Sequence, residues 1–107
     1  MKSIIVSMMV AVLMVAGTAL AADEGVALLK KSNCMGCHKM EGKLVGPGFA
    51  EVAKKYKDDA AAAAKLEAKV SKGGAGVWGT MPMPAMNITT KPEDIKTMVA
   101  YIMTLAK

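Results

Sequence analysis

The chain of 107 residues has no arginine, one histidine, two cysteines and only four aromatic side chains, Phe49, Tyr56, Trp78 and Tyr101. Each shortage narrows what the protein can do. Without arginine forks, and without aromatics interleaved among its lysines, the chain offers little to a nucleic acid, and none is expected as a partner. With Cys34, Cys37 and His38 as the whole supply of thiols and imidazole, a four-ligand zinc site cannot be completed from good donors. So few aromatics also leave a short chain poor in core material, and such chains often rely on a disulfide, a metal or a cofactor. Something other than protein side chains is expected to fill the interior.

Long apolar runs occur only at the start. Met1 and Lys2 give a positive beginning, Ile4 to Ala16 are almost wholly apolar, and Ala19-Leu20-Ala21 presents the small residues a signal peptidase reads. A secretory signal over residues 1–21 is expected. The competing reading is a retained anchor, since Ile4 to Ala22 approaches the roughly 18 to 20 apolar residues of a spanning helix. Cleavage after Ala21 leaves a single domain, residues 22–107, with 13 lysines against nine acidic residues, a formal +4. A lysine excess favours solubility and can steer an acidic partner.

No segment alternates as a strand would, so an all-α fold is expected. Asp23 to Ser32 reads as a short helix with acids first and lysines last, as the helix dipole favours. Phe49 to Tyr56 carries apolar residues at 49, 52, 53 and 56, one face of about two turns. The alanine-rich run after Asp58 or Asp59, either of which can cap it, stops at Gly73-Gly74. The last helix opens at Thr90-Lys91-Pro92-Glu93, where Thr90 can cap, and lines up Ile95, Val99, Ile102 and Ala106. Residues 33–48 and 73–89 stay outside helices, and loops that long in so small a domain are usually functional.

The first loop holds Cys34-Met35-Gly36-Cys37-His38. A thiol redox pair of the thioredoxin type expects a preceding strand, and a helix leads in here. C-x-x-C-H is instead the pattern of covalent haem attachment. Residues three apart lie on one side of a helical turn, so Cys34 and Cys37 can bond the two vinyl groups of one haem edge, with His38 placed to reach iron. One haem c is therefore expected. The sixth iron position has no second histidine to fill it, which leaves a thioether or an open site. Met81, Met83 and Met86 are candidates, and Met83 ranks first because Pro82 and Pro84 stiffen the backbone on both sides of it; Met81 follows. Met98 and Met103 read as core.

Taken together, "CMGCHKMEGKLVGPGFAEVAKKY", "GVWG", "PMPAMN" and the closing helix resemble, in order, the short monohaem class I cytochromes c of bacterial periplasms. The resemblance implies Cys34 and Cys37 as haem attachment points, His38 as proximal ligand and Met83 as distal ligand. It also implies that the Pro47 carbonyl accepts the outer N–H of His38, that Trp78 bonds a haem propionate, and that Asn87 lies near Met83. "PMPAMN" is one residue longer than the "PMPPN" of some relatives.

Iron held on both sides has no room for substrate, so the expected function is a soluble periplasmic carrier of single electrons rather than an enzyme. Its partners are expected to be redox proteins with acidic docking surfaces, met by lysines such as Lys30, Lys31, Lys39 and Lys72, with the chain a monomer free of the membrane after cleavage. The expected architecture is four to five helices around one haem, the first and last crossing, with Val26 and Leu29 against Val99 and Ile102. Three rivals remain: a haem sensor or peroxidase-like enzyme with an open iron position, a periplasmic Cu(I) carrier using the methionine run, and a dithiol oxidoreductase.

Overall fold

The computed structural model describes residues 22–106, so the expected signal over residues 1–21 lies outside the described residues. Among them are four α-helices: α1 (residues 22–31), α2 (Phe49–Tyr56), α3 (Ala62–Lys72) and α4 (Pro92–Met103). One turn of 3-10 helix stands at Cys34–Gly36, and the sole pairing of extended backbone among the described residues is an isolated antiparallel bridge between Gly74 and Met83. The all-α expectation holds. No helix among the described residues is long and apolar enough to cross a membrane.

Helix α4 organises the packing. Its periodicity buries Ile95, Met98, Val99 and Ile102 on one face, which meets both α2 and α3. Each such side chain contributes on the order of 1.5–3 kcal/mol when fully withdrawn from water. Phe49 and Val52 of α2, Leu66 of α3 and Leu29 of α1 complete the core cluster. Helices α1 and α4 cross as expected, in close contact. Gly25 lies against Tyr101, where an added Cβ would come within 2.5 Å of the tyrosine Cβ. Leu29 joins Val99 and Ile102 as expected, whereas Val26 is only half-buried and stays outside the cluster.

Helix beginnings depart from the sequence expectation for local reasons. Thr90 does not cap α4: Lys91 holds that position without a side-chain cap, while Thr90 is buried and its N–H donates to the Met86 carbonyl at 2.9 Å. The residue is committed to the turn that closes the preceding loop. Glu93 and Asp94 in the first turn still complement the dipole. Helix α3 starts later than its alanines suggest, at Ala62, because the Asp59 carboxylate takes the Ala61 N–H at 2.8 Å and forms a local turn instead. The same carboxylate meets Lys65 at 2.6 Å. The end of α3 follows expectation at Gly73, which has a positive φ of 71° and donates its N–H to the Lys69 carbonyl.

Candidate functional site

Helix α1 ends as the chain reverses at Asn33, whose φ of 61° is the left-handed conformation that asparagine tolerates. The 3-10 turn begins directly after it. Side chains three apart eclipse in such a turn, so Cys34 and Cys37 come to the same side, and both line one cavity. The Cys34 carbonyl accepts the N–H groups of Cys37 at 3.2 Å and His38 at 3.0 Å, which fixes the motif's backbone. Burial pushes the Cys34 thiol up from its ordinary value, opposed by a weaker backbone hydrogen bond. A nucleophilic dithiol needs the opposite shift.

His38 is held by three contacts. Its Nδ1 lies 2.7 Å from the Pro47 carbonyl. A carbonyl only accepts, so Nδ1 carries the hydrogen and Nε2 keeps its lone pair for a metal. The ring stacks on Phe49 with centroids 5.0 Å apart and planes 22° from parallel. Beneath it runs Gly46, where any Cβ would sit 2.7 Å from the imidazole Cε1. The Gly46 N–H donates to Cys37 at 2.7 Å, and the Phe49 N–H to Lys39 at 2.9 Å, so the loop is laced to the motif it supports. Of this set only Pro47 is foreseen from sequence.

Met83 lines the same cavity from the second loop. Its backbone exchanges both hydrogen bonds with Gly74, N–H to carbonyl at 2.9 Å and the reverse at 3.0 Å. Gly73 closes over this bridge, and a Cβ there would stand 2.4 Å from the Met83 carbonyl oxygen. Met81 also lines the cavity but is 68% exposed, and Met86 does not line it. Trp78 sits at the rim, half-exposed, with the Lys55 ammonium 5.6 Å from its ring centroid. Asn87 is exposed and outside the lining, its N–H donating to Ser71 at 3.2 Å. Lys30, Lys31, Lys39 and Lys72 are all exposed, and the lysine found in the cavity wall is Lys69.

The cavity is a cleft partly open to solvent, with a volume of about 150 Å³. Leu29, Val52, Leu66, Met98, Val99 and Ile102 belong to its wall and to the hydrophobic core at once. Protein interiors are packed as tightly as organic crystals, so a cleft that leaves these core side chains uncovered calls for a large apolar group. A porphyrin with iron at its centre fits the lining, and the donor set of one imidazole nitrogen, one thioether and two thiols fits its attachment. Fold and site together define a small all-helical haem protein with tethered cofactor.

The chain belongs to the cytochrome c family, whose model matches residues 22–106. Cytochrome c-552 of Hydrogenobacter thermophilus is 40% identical over 98 residues, covering 92% of this chain and 95% of the relative. Cytochrome c-552 of Nitrosomonas europaea is 43% identical over 93 residues, covering 87% and 86%. The crystal structure of wild-type Nitrosomonas europaea cytochrome c552 superimposes with a TM-score of 0.71 at 42% identity, over 75% of this chain and 98% of that one. The class 1 cytochrome MtoD of Sideroxydans lithotrophicus ES-1 gives 0.70 at 31%, over 79% and 96%. The fold is therefore that of a class I cytochrome c, and its cofactor is one covalently bound haem c.

Proposed function

We propose that the protein is a soluble periplasmic carrier of single electrons, exported by a signal over residues 1–21 and acting as a monomer without enzymatic turnover. Cys34 and Cys37 would tether the haem by thioether bonds, His38 Nε2 and the Met83 sulfur would ligate iron, and Trp78 would meet a propionate. Haem supplies one-electron redox chemistry at its iron when bound. The observation that carries the reading is the His38–Pro47 hydrogen bond inside the cavity that Met83 also lines. Pro47 fixes the imidazole tautomer, Gly46 and Phe49 fix its plane, and the Gly74 bridge fixes the chain bearing the thioether. With His38 and Met83 both holding the iron, no place would be left there for a substrate, and the apolar wall would exclude water. Thioether ligation favours the reduced state and raises the potential.

Asn87 keeps a weaker place in this reading, since its exposed position leaves it no part in the wall. Partners would be redox proteins with acidic faces, approached through exposed lysines. The rivals lose ground on particular observations. Met86 stands apart from the cavity that Met81 and Met83 line, so the methionine run does not converge as a Cu(I) cage would. The raised Cys34 thiol is unsuited to dithiol exchange. An open iron position would leave the anchored Met83 without a role. The test is spectroscopic: the purified exported protein should show haem absorption, a sulfur-to-iron band when oxidised, and no rapid carbon monoxide binding when reduced. Rapid carbon monoxide binding would refute the closed site.

A further inference from the structure

The loop that carries Met83 reads Met81-Pro82-Met83-Pro84, a thioether at every second position with a proline after each. Residues two apart in extended backbone point to the same face, and both Met81 and Met83 line the cavity. Met83 is registered by the pair of hydrogen bonds with Gly74, at 2.9 and 3.0 Å. A slip of one residue would bring Pro82 or Pro84 opposite Gly74, and proline has no N–H to give. A slip of two brings Met81, which has both groups, and neither of them enters a backbone hydrogen bond among the described residues. Sliding by two also keeps the same face toward the cavity, where a slip of one would reverse it. In the other direction Ala85 has an N–H but no sulfur.

The chain has slack for this movement. Between Gly74 and Met83 lie residues 75–82, and the shifted register still leaves residues 75–80 to span the turn. Beyond the bridge the chain is pinned again where the Met86 N–H donates to Val70 at 3.0 Å, so the added length is taken up by residues 82–85. Resting on the haem reading above, we propose that Met81 is an alternative axial thioether donor, brought to the place of Met83 by a two-residue register slip along Gly74. The protein thus has two sulfur-ligated states, with the Met83 register dominant because Gly73 closes over the Met83–Pro84–Ala85 backbone.

The experiment compares oxidised haem-loaded wild type, Met81→Ala, Met83→Ala and the double variant by their sulfur-to-iron absorption band. Selective carbon-13 labelling of methionine methyls gives a second readout in the reduced protein, where a ligating methyl is shifted by the porphyrin ring current. Wild type and Met81→Ala should match, Met83→Ala should retain a band and a shifted methyl assigned to Met81, and the double variant should lose both. Loss of the band in Met83→Ala as complete as in the double variant would overturn the proposal, as would a band persisting in the double variant. Should Met83→Ala fail to hold haem, Met83→Leu keeps the volume and is read the same way. A wild-type protein without the band would instead overturn the thioether ligation on which the proposal rests.

Discussion

Gly46 lies flat against the His38 ring, so close that a Cβ on the glycine would be 2.7 Å from Cε1, 3.0 Å from Nδ1 and 3.2 Å from Nε2. All three contacts are with one rigid ring, itself stacked on Phe49 and bonded to Pro47. Gly46→Ala must therefore tilt the imidazole or push the loop away. Overpacking of this kind costs about 1–3 kcal/mol. The variant should melt lower than wild type and show altered haem electronic spectra, and an unchanged spectrum would place the ring elsewhere.

Gly73→Ala is expected to act on Met83, the proposed thioether ligand. The glycine has φ 71°, and its Cβ would meet the Met83 carbonyl at 2.4 Å. With ψ at −160°, this is backbone that essentially only glycine adopts, and it alone costs about 1–3 kcal/mol for a residue with a Cβ. Gly42→Ala is the control, with φ 81° and nothing within 4 Å. Both variants should lose stability, but only Gly73→Ala should weaken the sulfur-to-iron band and lower the midpoint potential. Equal effects on the band would remove Gly73 from the positioning of Met83.

Val99 is 1% exposed at the contact of α4 with α1. A carboxylate there has no partner, and burying it carries a penalty beyond about 4 kcal/mol. Total stabilities of small domains are about 5–15 kcal/mol, so Val99→Asp should fall tens of degrees in thermal melting or fail to accumulate as folded holoprotein. A melt superimposable on wild type would refute the packing.

Asp59 and Lys65 set a pH window for the start of α3. The Lys65 ammonium, followed by the Ala61 N–H, holds the Asp59 carboxyl below its ordinary 3.8, and Asp59 holds Lys65 above 10.5. A depressed carboxyl stabilises the fold above its unfolded value and loses that contribution as pH falls through the folded one. A raised ammonium does so below its unfolded value and loses it as pH rises through the folded one. The small stabilisation is thus fullest between the two ordinary values. Asp59→Asn should melt lower than wild type at neutral pH, with the gap closing in acid below the carboxylate range. A gap that persisted there would assign the effect to something other than charge.

Electron exchange with an acidic redox protein should slow as salt is added, because exposed lysines exceed acids on the domain and surface charges are screened beyond about 8–10 Å. Stopped-flow rates from low to high ionic strength check this. A flat profile would remove the lysines from docking.

Local chemistry was the readable part of this protein. The C-x-x-C-H spacing marked the haem, and the glycine pair at 73–74 marked the end of α3. The 3.6-residue period placed Ile95, Val99 and Ile102 on the buried face of α4. What stayed hidden depends on which distant residues meet. Nothing near Gly25 in sequence says that Tyr101 needs its missing side chain, and nothing near Gly46 says that an imidazole rests on it. Caps failed for a related reason: Thr90 and Asp59 each had a choice of local partners, and the folded chain used them for turns. Asn87, which the resemblance puts near Met83, is exposed and outside the cavity lining.

Leu29, Leu66, Met98, Val99 and Ile102 serve as inner packing and cavity lining together, and this joins two events usually treated apart. Acquiring the prosthetic group and reaching the final tertiary structure reinforce each other, since each covers the surface the other needs covered. Haem attachment thereby becomes a checkpoint: polypeptides left without it stay loose enough for proteases to clear, and those that are completed persist.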